Sequence, residues 1–164
     1  QEGVDAILLE TVFDTLNAKA GIYAMQEVMQ RTGKDIPLML SATVNDTSGR
    51  LLTGQTLEAF LISVSHAPLL SIGLNCSFGA GQMLPVLRNL HRMLTDRAGE
   101  SGQRPFISSH PNAGLPNSMG QYDVTPEQFA QSISPMLDER LVDIIGGCCG
   151  TTPEHIKAVV DLCR

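Results

Sequence analysis

The stretch LLSIGLNCSFGAGQMLPVLRNLHRMLTDRA, residues 69–98, sets an apolar run, a glycine-bearing loop and a helix-period segment in that order. LLSIGLNC (69–76) shows little alternation of polar and apolar positions, the pattern of a strand buried on both faces of a parallel sheet. SFGAG reads as the loop, and the spacing from about Gln82 to Ala98 predicts a helix. A strand followed by such a helix is half of a right-handed crossover between parallel neighbours.

The same unit recurs on both sides. Upstream, VDAILLET (4–11) precedes a helix from Thr15 to about Arg31, closed by Gly33. PLMLSATV (37–44) precedes the polar loop NDTSGRLLTGQ and a helix from Thr56 to about His66. Downstream, the loop GESGQR (99–104) leads to PFISSHPN (105–112) and the long loop AGLPNSMGQYDV, and VDIIGGCC (142–149) is followed by a helix from Thr152 onward. Two helices open on Thr-Pro, in TPEQ and TPEH, with threonine as cap and proline in the first turn. Pro135 is expected to kink or restart the fourth helix.

Five strand–helix units predict an α/β fold with a parallel sheet. A doubly wound sheet would carry such a series, but no GxGxxG or GxxxxGKT fingerprint follows the first strand. A closed (β/α)8 barrel of the TIM type needs eight units and roughly 250 residues, and five units in 164 residues are a fitting share of one. The sequence starts at Gln1 without an initiator methionine and stops at Arg164 after an amphipathic run, so a piece of a larger protein is expected.

Hydrophobic residues make up 43% and charged residues 17%, enough apolar material for a packed core. A net charge of -6 argues against nucleic acid, whose phosphates call for clustered Lys and Arg. No apolar run approaches the roughly 18 residues of a membrane span, and no segment reads as a signal peptide, so a cytoplasmic protein is expected. Four cysteines are too few for a disulfide scaffold in a chain of this length; in a reducing compartment they point to metal, catalysis or small buried hydrophobes.

Chemistry in parallel α/β folds gathers at the C-terminal ends of the strands. Those ends carry Glu10 and Thr11, Thr43 and Asn45, Asn75 and Cys76, Ser109, His110 and Asn112, and finally Cys148 and Cys149. Three of the four cysteines therefore share one rim. Zinc takes thiolates in tetrahedral geometry, and a catalytic site keeps three protein ligands and one open position. Neighbouring strand residues point to opposite faces, so Cys148 and Cys149 meet one ion only where the backbone leaves strand geometry, a freedom Gly146, Gly147 and Gly150 are expected to give. The plain alternatives are a tight turn with two packed cysteines, or a strained vicinal disulfide. Glu10 is either an acid, base or ammonium-binding group or one half of a loop salt bridge, and His110 is either a ligand or hydrogen-bonded structure. Cys163, on the last helix, reads as a small core residue.

Taken together, ILLETVFDTLNAK, LSATVNDTSGRLLTGQT, GLNCSFG, SSHPNAGLPN and IIGGCCGTTPEHI resemble, in this order, the homocysteine-binding domain of the cobalamin-dependent methionine synthases. The likeness covers essentially all of residues 1–164, and the pairing of GLNC with GGCCGTTPEHI is specific to zinc-dependent homocysteine methyltransferases. The resemblance implies a partial (β/α)8 barrel holding the fourth through eighth strands, with the first three β/α units absent. It implies that Cys76, Cys148 and Cys149 are the Zn2+ ligands, that Glu10 sits near the amino-acid end of homocysteine, and that Asn112 and Ala113 line the same pocket.

By the same resemblance the homocysteine thiol is activated as thiolate and methylated from methylcobalamin, giving methionine. Cobalamin belongs to another domain, since no DxHxxG motif occurs in these residues, and the expected partners are the corrinoid-binding and methyltetrahydrofolate-binding domains of a full-length protein. The alternatives are a homocysteine methyltransferase using betaine or S-methylmethionine, and a noncatalytic zinc-binding or thiol-sensing module. With three units missing and two sheet edges exposed, the isolated segment is expected to be poorly stable and inactive.

Overall fold

The computed structural model describes residues 3–99 and 102–164, so that Glu100 and Ser101 of the expected loop 99–104 lie outside the described residues. Strands and helices alternate throughout: β1 (Ile7–Val12), α1 (Thr15–Thr32), β2 (Leu38–Ala42), α2 (Leu57–Val64), β3 (Leu69–Gly79), α3 (Ala80–Ala98), β4 (Phe106–Asn112), α4 (Pro126–Asp138), β5 (Ile144–Ile145) and α5 (Pro153–Leu162). The five strands form one parallel sheet in the order β1-β2-β3-β4-β5. Sequential order without a reversal is how a barrel winds, whereas a doubly wound sheet changes direction at a switch point. The structure is thus an α/β, partial TIM-barrel-like fragment.

Local chemistry sets most of the boundaries. The Asp14 carboxylate accepts the Leu16 amide at 2.6 Å to cap α1, and the Gly33 amide closes its other end on the Met29 carbonyl at 2.9 Å. Thr125 and Gln128 form a reciprocal capping box with Pro126 in the first turn of α4. Pro135 does not restart the helix: α4 runs through it to Asp138. The carbonyl deprived of its partner by that proline belongs to Gln131, and the Ser134 hydroxyl donates to it at 3.0 Å.

Two further boundaries depart from expectation. The segment SFG does not form a loop: β3 extends through it to Gly79 and α3 begins at Ala80. The run 142–149 keeps regular pairing at Ile144 and Ile145 alone, against Ser108 and Ser109 of β4.

The helices cover one face of the sheet. Gly21 of α1 lies on the Leu9 side chain, and Ser109 donates to the sulfurs of Met83 in α3 and Met136 in α4 at 3.3 and 3.8 Å. On this side Leu40, Leu74 and Ile107 meet Phe60, Leu87, Leu90 and Ile133, all with 0% exposure. The opposite face carries Ser41, Asn75, Ser108 and His110, and strand alternation keeps the two sets apart. Among the described residues no helix is long and apolar enough to cross a membrane.

Candidate metal centre

The C-terminal ends of β3, β4 and β5 build the candidate site. The β3–β4 register breaks between Asn75 and Gly79, and there Cys76 and Ser77 adopt φ values of 60° and 64°. A non-glycine residue in that left-handed region costs on the order of 1–3 kcal/mol and needs support from its surroundings. Asn75 supplies it: its Oδ1 accepts the Thr11 amide at 3.0 Å and the Ser41 hydroxyl at 2.7 Å, while its Nδ2 donates to Thr11 Oγ1 at 2.9 Å. The Thr43 hydroxyl donates to the Asn75 carbonyl at 3.2 Å, and the Ser77 hydroxyl to the Val44 carbonyl. The kink is thereby tied to β1 and β2 and aims the Cys76 thiol across the sheet end.

Cys148 and Cys149 lie past the end of β5. The Cys148 amide donates to the Pro111 carbonyl at 2.9 Å, and its carbonyl accepts the Thr151 amide at 3.1 Å and hydroxyl at 2.7 Å. Cys149 is held from β4: its amide donates to Asn112 Oδ1 at 3.1 Å, and its carbonyl accepts the Ala113 amide at 2.9 Å. The doublet thus belongs to a turn, and both thiols face one point. Gly146 and Gly147 contribute space, not unusual backbone angles: a β-carbon at Gly146 would sit 2.6 Å from the His110 ring, and one at Gly147 2.5 Å from the Thr151 side chain. The glycine at positive φ is Gly150 (78°).

The three sulfurs lie within 4.8 Å of one another, with Cys76–Cys149 at 3.7 Å and Cys148–Cys149 at 3.9 Å. Ligands about 2.3 Å from a tetrahedral zinc ion stand about 3.8 Å apart, so the spacing fits that ion. A disulfide between the neighbours requires sulfurs about 2 Å apart; all four cysteines are free thiols.

Electrostatics favours a cation here. Burial, and then the negative charges of Cys149 and Cys76, push the Cys148 thiol up to about 11. Burial raises the Cys76 thiol too, but the Ser77 amide, the neighbouring thiols and the Asn112 side chain outweigh it and leave the group below its ordinary value. Three thiolates therefore resist coexisting without compensating charge, which a divalent cation supplies. The Tyr122 phenol also feels the cluster: burial first, then Cys149, raise its pKa.

Around the cluster, Glu10 is exposed at the end of β1, and its charge reaches His110. Burial nonetheless holds the His110 imidazole below its usual pKa, and its buried Nδ1 has no partner among the described residues. Asn112 is 4% exposed and Ala113 0%, so both stand behind the thiols, fixing Cys149. Beside Cys76 opens an apolar cleft lined by Phe13, Val44, Leu52 and Phe78, with Thr43 and Asn45 at its margin.

Two expectations are corrected. Ser109 is not on the rim, because its hydroxyl lies under α3 and α4 against the two methionine sulfurs. Cys163 is not a core residue: it caps the end of α5 and is exposed. Sequence reasoning also passed over Tyr122, and over the Thr11–Ser41–Asn75 network, whose contacts across 64 and 34 positions no local pattern announces.

The homocysteine methyltransferase MmuM from Escherichia coli, in its apo form, aligns with a TM-score of 0.68 at 22% identity over 97% of this chain and 50% of that one. Its metallated form aligns with a TM-score of 0.69 at 22% identity, over 98% and 46%. The chain thus spans about half the length of these structures and shares their fold. The family model for homocysteine S-methyltransferase matches residues 1–163. From end to end, the chain belongs to the homocysteine S-methyltransferase family.

Proposed function

We propose that this chain is the thiol-activating half of a zinc-dependent homocysteine methyltransferase, with Cys76, Cys148 and Cys149 as the metal ligands. The observation that carries the proposal is the convergence of three thiols, from strand ends 72 positions apart in sequence, at the spacing of a tetrahedral ion. When bound, zinc supplies the Lewis acidity that lets a thiol with an ordinary pKa near 8.5 serve as thiolate at neutral pH. The residues do the rest. Asn75 holds the strained turn that presents Cys76, Asn112 and Ala113 lock the Cys149 backbone, and Glu10 is exposed on β1.

In this proposal Glu10 faces the ammonium of homocysteine, and Asn112 and Ala113 serve the pocket from behind. The methyl donor is methylcobalamin, brought by a corrinoid-binding domain outside these residues, with methionine as product and methyltetrahydrofolate bound elsewhere in the full-length protein. The likeness of the stretches ILLETVFDTLNAK, LSATVNDTSGRLLTGQT and HPNAGLPN supports this donor over betaine or S-methylmethionine. Residues 1–164 form part of the homocysteine-binding domain, and three further β/α units complete the barrel.

X-ray absorption at the zinc edge, on protein that includes those units, tests the thiol chemistry. A rise from three to four sulfur ligands on adding homocysteine is expected. An unchanged coordination sphere would point to a noncatalytic zinc or thiol-sensing module. Assays pairing homocysteine with each of the three donors test the donor, and turnover with betaine or S-methylmethionine alone would overturn methylcobalamin.

A further inference from the structure

An α-amino acid brings a carboxylate as well as an ammonium, and Glu10 answers only the second. No Lys or Arg stands among the strand-end residues of the rim. The side chains of Thr11, Thr43, Asn75 and Asn112 are already spent on one another and on the backbone. His110 differs from them. Among the described residues neither nitrogen of its ring has a hydrogen-bond partner, and only Nδ1 is sealed off by burial.

The ring is placed by the strands on either side. His110 pairs in register with Asn75 of β3, and toward β5 a β-carbon at Gly146 would stand 2.6 Å from its Cδ2 and 3.1 Å from its Nε2. Gly146 therefore leaves room for the imidazole, whose Nε2 edge lies beside the chain two positions before Cys148. A neutral imidazole carries one N–H and one bare nitrogen, and an orphaned buried N–H is rarer than an orphaned acceptor. The hydrogen accordingly belongs on Nε2, and the bare lone pair on the sealed Nδ1. Leu9 lies under α1, so strand alternation turns Glu10 to the same interior face as His110, and the Glu10 charge reaches the ring. An acceptor and a donor thus border one space below the thiols.

We propose that His110 is a substrate-binding residue whose Nε2–H donates to the carboxylate of homocysteine while Glu10 faces the ammonium of the same molecule. The inference deepens the reading given under the proposed function and rests on it. Burial keeps the ring neutral, so it does not pair with Glu10 as an ion and leaves that carboxylate to the ammonium. With its sulfur on the metal, the substrate is then held at both charged groups as well, and a thiol that lacks the carboxylate loses one of these holds.

Isothermal titration calorimetry on the zinc-loaded full-length protein tests this with homocysteine and with 3-aminopropanethiol, the same thiol without its carboxylate. Wild type should bind 3-aminopropanethiol about tenfold more weakly than homocysteine, the equivalent of one hydrogen bond to a charged acceptor. His110→Leu should lose about tenfold toward homocysteine and nothing toward 3-aminopropanethiol, with zinc content unchanged. His110→Gln, whose amide reaches the place of Nε2, should restore most of the affinity. His110→Asn, whose shorter amide stops at the place of Nδ1, should behave as His110→Leu does, and the Gln and Asn pair carries the test if His110→Leu does not fold. Equal affinity of wild type for the two thiols, homocysteine binding unchanged in the Leu and Asn variants, or an equal loss toward both thiols overturns the role of His110. Wild type that binds homocysteine as tightly without zinc as with it overturns the metal-site proposal, and this inference with it.

Discussion

The two faces of the sheet are built on opposite terms. Toward the helices, Leu40, Leu74 and Ile107 are fully buried among hydrocarbon side chains, where each side chain stabilises the fold by roughly 1.5–3 kcal/mol. Toward the interior of the barrel stand Ser41, Asn75, Ser108 and His110, and Ser108 Oγ and His110 Nδ1 are buried without a partner among the described residues. Burying an unpaired polar atom costs on the order of 1–3 kcal/mol. One face therefore carries the stability and the other spends part of it to present polar groups and thiols, so substitutions on the two should separate metal affinity from folding.

The largest separation is expected at Cys76. Cys76→Ala removes one of the three proposed ligands and should weaken zinc binding by about 10³-fold, a fair share of the roughly 10–16 kcal/mol such ions contribute to small zinc sites. Competition with a chromophoric chelator measures it, and urea unfolding of the metal-free protein should show no loss of stability. Leu87→Ala, at a position in α3 with 0% exposure, should do the reverse: a loss of about 2–5 kcal/mol in urea unfolding with zinc affinity retained. A Leu87→Ala protein that folds yet loses zinc as Cys76→Ala does would erase the distinction between the faces.

Asn75→Ala should be smaller in energy but felt on both sides. It leaves the Thr11 amide and the fully buried Ser41 hydroxyl without their acceptor, a cost of about 1–3 kcal/mol. It also releases the left-handed turn at Cys76 and Ser77, so zinc affinity should fall as well. Retained affinity in this variant would mean that the turn holds its shape without the network.

These cases also show what was readable in advance. The five β/α units could be read because they rest on local signals: unbroken apolar runs for strands, and Thr-Pro openings and Gly33 for helix ends. The three cysteines could be placed on one rim because topology alone sends strand ends there. The way they converge could not. Cys76 turns through positive φ without a glycine, and Gly146 and Gly147 matter for the side chains of His110 and Thr151 that fill their space. Likewise Ser134 rescues the carbonyl below Pro135, a compensation visible in the sequence only to a reader already certain of the helix.

The smallest expected effect concerns Asp143, at the seam where β5 joins the sheet. Its carboxylate accepts the Ile107 amide at 2.7 Å and Arg104 Nη1 at 2.6 Å, linking the start of β5 to β4 outside the regular ladder. Burial would raise its pKa, but the bonds from Arg104 and Ile107 prevail and hold it below the ordinary 3.8. A carboxyl depressed on folding stabilises the native state above its unfolded pKa, and that contribution disappears as pH falls through the lower folded value. Asp143→Asn should therefore cost about 1 kcal/mol near pH 6, at the low end for a charged hydrogen bond because the side chain is 30% exposed. The gap between wild type and variant in urea unfolding should close as the pH is taken below about 4. A gap that stays constant across that range would assign the seam to shape alone. A gap that closes would show that even the thinly paired β5, two residues long, is held to the sheet by charge while the rest of the outer layer is held by hydrocarbon.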